Sequence, residues 1–163
     1  MRRISRLIEK TEEYVMIWSS LLLMLVLSYS VFMRYVLKKD VYGLDEIEQV
    51  IAFWLYFIAA ANCSNKGEQI TADILNVVCK KAPLAKITIS AVASLLAACV
   101  GFLFTYFSFG FFKFAFQRSQ RTLILSIPFT TYYIAVVLGL LLMSIYHFRD
   151  FLVRVKKLRR GEV

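Results

Sequence analysis

The 163-residue chain holds a single histidine, His147, and only three cysteines and two prolines. One histidine cannot supply the paired axial ligands of a b-type cytochrome within one chain. Cys63, Cys79 and Cys99 form no CxxC pair, and an odd number gives no disulfide framework. They read as small buried hydrophobes. There is no Walker loop, no HExxH and no GxSxG, so nucleotide cradling, zinc hydrolysis and serine-hydrolase chemistry have no motif to rest on. No catalytic, cofactor-binding or metal-ligating residue is assigned. Charge is missing from four long runs, residues 14–33, 49–65, 87–112 and 122–146. Their lengths match or exceed what a hydrocarbon core of ~30 Å asks of a helix. Once these runs are set aside, no room is left for a large soluble domain.

What remains is strongly apolar: 60% of residues are hydrophobic and the mean hydropathy is +0.65. The reading is an all-α integral membrane protein of one domain, residues 1–163, with four transmembrane helices at about 14–33, 47–65, 87–112 and 122–146. Residues 1–13 are charged, with Ile4, Leu7 and Ile8 on one helical face, as in a short helix on the membrane surface. The first apolar run is long enough to be retained as a span rather than removed as a signal peptide. Between spans two and three, Ile70, Ile74, Val77 and Val78 lie opposite Asp73, Asn76 and Lys80. That pattern predicts a short amphipathic helix in the interface over residues 68–80.

The net charge of +9 does not point to nucleic acid, because no basic and aromatic surface is left outside the spans. It points to lipid and to orientation. With the N-terminus inside, inner segments hold fourteen Lys and Arg against six in the outer loops. Both termini are therefore expected in the cytoplasm.

The second span carries the most distinctive stretch. Asp45, Glu46 and Glu48 stand at its start and Arg34 across the preceding loop. Carboxylates there are costly unless they stay at headgroup level or find a partner. Two readings stay open: Asp45 caps the helix with Glu48 three residues on, or the acids touch a partner with Arg34 neutralising one of them. Trp54 then leads to a small patch at Ala59, Ala60 and Ala61. The third span repeats small residues every fourth position, Ala93, Ala97 and Gly101 in one file and Ser90, Ser94 and Ala98 in the next. Such files let backbones approach closely. Pro128 falls in the first turns predicted for the fourth span, where a missing N–H costs little.

No carboxylate lies in the central part of any span, so ion coupling through this chain alone has no carrier group. The simplest expectation is a bracing subunit. Its rivals are a self-sufficient four-helix carrier acting as a homodimer, and an assembly or signalling protein with no transport role.

Three stretches, in order, resemble the small membrane subunit of tripartite ATP-independent periplasmic (TRAP) transporters, the DctQ-like family. Leu44-Asp45-Glu46-Ile47 runs into Ala52-Phe53-Trp54-Leu55-Tyr56-Phe57-Ile58-Ala59-Ala60. Gln69-Ile70-Thr71-Ala72-Asp73-Ile74-Leu75 is similar to the family's HIxVDxL, and Thr122-Leu123-Ile124-Leu125-Ser126-Ile127-Pro128 to its xLxIP. The chain departs from the family at Gly43 or Leu44, where Trp usually precedes the acids, at Gln49 and at Gln69. The resemblance implies a bacterial inner-membrane protein without catalytic role or cofactor. It implies a large elevator-type membrane subunit and a periplasmic substrate-binding protein as partners, sodium coupling, and cargo of the C4-dicarboxylate or sialic-acid type.

Overall fold

The computed structural model describes residues 2–39, 41–67 and 83–160, with side chains for 8–39, 41–67 and 87–159. The predicted interfacial helix over 68–80, Asp73 included, lies outside the described residues. Four helices make up the rest: α1 Arg2–Tyr35, α2 Leu44–Lys66, α3 Pro83–Gln117 and α4 Thr130–Arg160. All four are long and apolar enough to cross a membrane. At 1.5 Å per residue α1 runs about 50 Å, well beyond a hydrocarbon core of ~30 Å.

The helices form an open row rather than a closed bundle. α1 packs on α2, α2 on α4 and α4 on α3. None of the side chains along the most apolar stretch of α1 is fully buried, and Trp18, Leu21, Leu22 and Leu25 are all exposed. Lipid offers no hydrophobic drive between helices, so contact relies on shape. The buried positions of α3 are accordingly small: Ala91, Ser94, Ala98 and Ala115. Ser94, Ser144 and Thr105 donate to the carbonyl four residues back at 2.9, 2.7 and 2.8 Å. Their hydroxyls are satisfied within their own helices and serve as slim packing surfaces, not as interhelical glue.

Two glycines mark the closest approaches. A Cβ on Gly139 of α4 would stand 2.6 Å from Phe57 Cβ and 2.8 Å from the Phe57 carbonyl oxygen on α2. Gly101 of α3 abuts the Ser144 side chain of α4 in the same way. So α4 is the central member, thin toward α2 at Gly139 and toward α3 at Ser144.

Four boundaries differ from the sequence expectation. α1 is continuous from Arg2, with no separate surface helix. The N-cap of α2 is Gly43, at φ 91°, with no side-chain cap; Asp45 lies inside the first turn. α3 continues through Lys113 to Gln117. The largest difference is α4, which begins at Thr130 and not at 122. Residues 118–129 are a loop in which Arg121 bridges Pro128 and Thr122 N–H donates to the Ile127 carbonyl at 2.9 Å. Ser119 and Ser126 sit at φ 45° and 56°, and the residue before a proline is pushed toward extended backbone. Pro128 therefore precedes α4 instead of starting it.

The glycine geometry makes a paired prediction. Gly110 of α3 has nothing within 4 Å of a built Cβ. Gly110→Ala leaves thermal stability in detergent unchanged or slightly raised, since Ala is the better helix former by ~0.5–1 kcal/mol. Gly139→Ala lowers stability by about 1–3 kcal/mol through overpacking. Equal effects from the two would contradict the packing described.

Candidate functional site

Polar chemistry is concentrated at the two ends of the row. At the end that carries the 36–43 and 118–129 loops, the chain enters α2 through Gly43, buried and in the left-handed region. A Cβ there would meet Leu125 Cγ at 2.8 Å. Only glycine fits both the dihedral and the space. One turn on, Glu46 reaches across to the α3–α4 loop. Its Oε2 accepts from Thr122 Oγ1 at 2.6 Å and from Leu125 N–H at 2.8 Å, while Oε1 accepts from Ile124 N–H at 2.9 Å. Thr122 Oγ1 in turn accepts from Ile127 N–H at 2.9 Å. The Glu46 main-chain carbonyl accepts from Tyr132 O–H at 3.1 Å, and the Tyr132 ring meets Phe53 edge-on at 5.4 Å.

A carboxylate suits this role because it is acceptor-only on two oxygens. An amide would present an NH2 group to at least one of the facing N–H donors. Successive main-chain N–H groups form a concave anion seat, here filled by the protein's own side chain. The result is a fixed loop whose tip, Leu123, is 98% exposed, with Ile124 and Leu125 exposed beside it.

At the opposite end, three residues of α1 meet three of α2 at matching spacing. Glu12, only 4% exposed, accepts from Asn62 Nδ2 at 3.1 Å and from Tyr146 O–H of α4 at 2.6 Å. Glu9 accepts from Asn65 Nδ2 at 3.0 Å. Glu13 pairs with Lys66 at 2.9 Å. Arg149 of α4 closes the knot, donating to Asn65 Oδ1 at 2.7 Å and to the Asn65 carbonyl at 3.2 Å, with its guanidinium 5.4 Å from the Tyr146 ring centroid. Three helices are joined in one network. The sequence reading saw these residues only as charged flanks. The available signal was the shared spacing, Glu9, Glu12 and Glu13 against Asn62, Asn65 and Lys66, since positions three and four apart share a helix face.

The expected partner-contact residues fall in different settings. Glu46 is engaged internally, as above. Asp45 and Arg34 are exposed at the same end. Glu48 is half-buried, and its Oε1 is enclosed without a hydrogen-bond partner among the described residues. It shares a face with Ile51, Ile58 and Asn62, the face that meets α1. Trp54 joins Trp18, Leu22 and Val50 along a groove of about 270 Å³ between α1 and α2. Ala59, Ala60, Ala97 and Gly101 are half-buried and Ala93 is exposed, so the deeply buried positions of α3 are the neighbouring Ala91, Ser94 and Ala98. Pro128 is exposed in the loop.

Glu12 at one end of the row and Glu46 at the other are thus both held by protein donors. The family model for tripartite ATP-independent periplasmic transporters, DctQ component, matches residues 23–157. The chain belongs to the DctQ family. The match covers most of the chain and takes in Glu46, the 118–129 loop, Tyr146 and Arg149. Glu9, Glu12 and Glu13 lie before it. No curated protein matches the chain. DctQ proteins are components of transporters that also comprise a large membrane subunit and a periplasmic binding protein, and the family is not one of enzymes.

If Glu46 holds the loop, its loss is read at the amides it accepts from. In Glu46→Gln the Ile124 and Leu125 N–H groups exchange with solvent roughly tenfold faster while core amides of α4 are unaffected, as expected of a local opening. Unchanged protection at both amides would show that the loop stands without the carboxylate.

Proposed function

We propose that this DctQ chain is the non-catalytic bracing subunit of a sodium-coupled TRAP transporter for organic acids of the C4-dicarboxylate or sialic-acid type. It sits in the bacterial inner membrane with both termini in the cytoplasm. On this reading it lies beside a large elevator-type subunit that moves the solute, and a periplasmic binding protein delivers that solute.

The observation that carries the reading is the open row. Helices held side by side leave long apolar faces on α1 and α3 for a larger protein. Helix-borne carboxylates sit at the ends, and those of Glu12 and Glu46 are taken up by protein donors. Ionisable groups inside a membrane protein mark ion and solute pathways, and the sequence places none in the central part of any span. On this reading α1 and the Trp18–Trp54 groove face the large subunit. Asp45 and Arg34 stand at the periplasmic end, within reach of the docked binding protein.

Reconstitution separates this from a self-sufficient homodimer. Vesicles holding this chain with the large subunit and binding protein accumulate solute on a sodium gradient. Vesicles holding this chain alone accumulate none. Solute uptake by the chain alone, at a rate comparable with the full system, would overturn the bracing role.

A further inference from the structure

The α3–α4 face at the loop end carries a groove that neither polar knot uses. It measures about 530 Å³ and is lined by Phe107, Gly110, Phe111, Phe114, Gln120 and Tyr133. That volume falls within the usual ~300–1,000 Å³ of ligand sites. Its walls are set by aromatic contacts: Phe111 stacks on Tyr133 at 6.2 Å and 13°. Its floor at Gly110 is open, with nothing near a built Cβ.

The mouth is cationic. The Arg118 guanidinium lies 5.4 Å from the centroid of the groove-lining Phe114. Gln120 lines the same groove; its main-chain N–H and carbonyl are held by Ala115 and Phe129 at 3.2 and 3.0 Å. Lys113 and Arg121 flank these residues in sequence, and no Asp or Glu occurs between Asp73 and Asp150. Among the described residues no ion pair joins Lys113, Arg118 or Arg121 to a carboxylate. Glu46, which does reach this loop, is occupied by Thr122 and two main-chain N–H groups.

We infer that this groove is a binding site for an anionic phospholipid, with one acyl chain along the aromatic wall and the phosphate at Arg118 and Gln120. Each half of the ligand matches one half of the site. Four of the six lining residues, Phe107, Gly110, Phe111 and Phe114, are apolar, and they suit a hydrocarbon chain. A guanidinium matches phosphate oxygens in geometry and charge. The cations sit where α3 ends and α4 begins, at headgroup level for helices of this length. The site is independent of the bracing role: lipid would bind whether or not the chain supports a carrier.

The test uses the full chain in detergent, with phosphatidylglycerol and phosphatidylcholine as probes and native mass spectrometry as readout. The unaltered protein prefers phosphatidylglycerol by about fivefold, the value of one Arg beside a net-anionic lipid, because the choline ammonium of phosphatidylcholine offsets the phosphate that both lipids carry. Arg118→Gln brings the two lipids to parity. Gly110→Leu, which fills the open floor, lowers occupancy by both lipids roughly tenfold. Lys157→Gln, on the α4 tail, changes nothing. Equal binding of the two lipids by the unaltered protein, or no effect from either groove variant, would overturn the assignment. So would displacement of the lipid by inorganic phosphate at equal concentration, since that would leave the acyl groove without a role. A photo-crosslinking phenylalanine analogue in place of Phe107, which lines the groove, is expected to label lipid in native membranes; labelling of a protein chain would show that protein covers the groove and would overturn the assignment.

Discussion

Polar groups near lipid must find their partners within the protein, and apolar faces there have no reason to associate. The arrangement of this chain follows from those two facts. Along the middle, α4 comes closest to its neighbours where residues are small enough for backbones to approach, at Gly139 against Phe57 and at Gly101 against Ser144. At the ends, carboxylates and their donors tie one helix to the next. Glu12 joins α1 to α2 and α4 through Asn62 and Tyr146. Glu46 joins α2 to the α3–α4 loop and, through its main chain, to Tyr132 of α4. The order α1, α2, α4, α3 is what these contacts allow, and α4 is the member both knots reach.

An arrangement of this kind suits a fixed part better than a moving one. Removing one partner from an enclosed charge network leaves the other group unsatisfied, at a cost of about 1–3 kcal/mol. The row is therefore stiff at both ends and broad in between. A stiff, broad element with exposed apolar faces on α1 and α3 is useful next to a protein that must move against something anchored. The aromatic groove beside Arg118 fits the same picture, since a held lipid would seal the face of α3 and α4 where no helix packs.

Much of this was legible in the sequence, and the parts that were not share a cause. Four uncharged runs announced four spans, and the ordered motifs from Leu44, Gln69 and Thr122 pointed to the family that the matched residues 23–157 bear out. The start of α4 was misplaced because an uncharged apolar run does not distinguish helix from loop. The Ile124 and Leu125 N–H groups of the loop are satisfied by Glu46, 78 and 79 positions away, and nothing local signals that. Likewise the expected cap at Asp45 gave way to Gly43, whose role depends on Leu125 packing against it. The knot around Glu12 was overlooked for the same reason: Glu12 looks like a solvated charge until Asn62 and Tyr146 are brought beside it. Periodicity reports a helix and its faces; it does not report which distant group will meet them.

The central claim is that the chain is a rigid open row, and the width of that row measures it directly. Spin labels at Leu25 of α1 and Leu103 of α3, both exposed, in a background with Cys63, Cys79 and Cys99 replaced by serine, report the distance between its outer members. The account predicts one narrow distance distribution, the same for the chain alone and within the assembled transporter, with and without sodium and solute. Two populations, or a shift approaching one helical turn of about 5 Å between those conditions, would mean that the row closes or slides as part of the cycle.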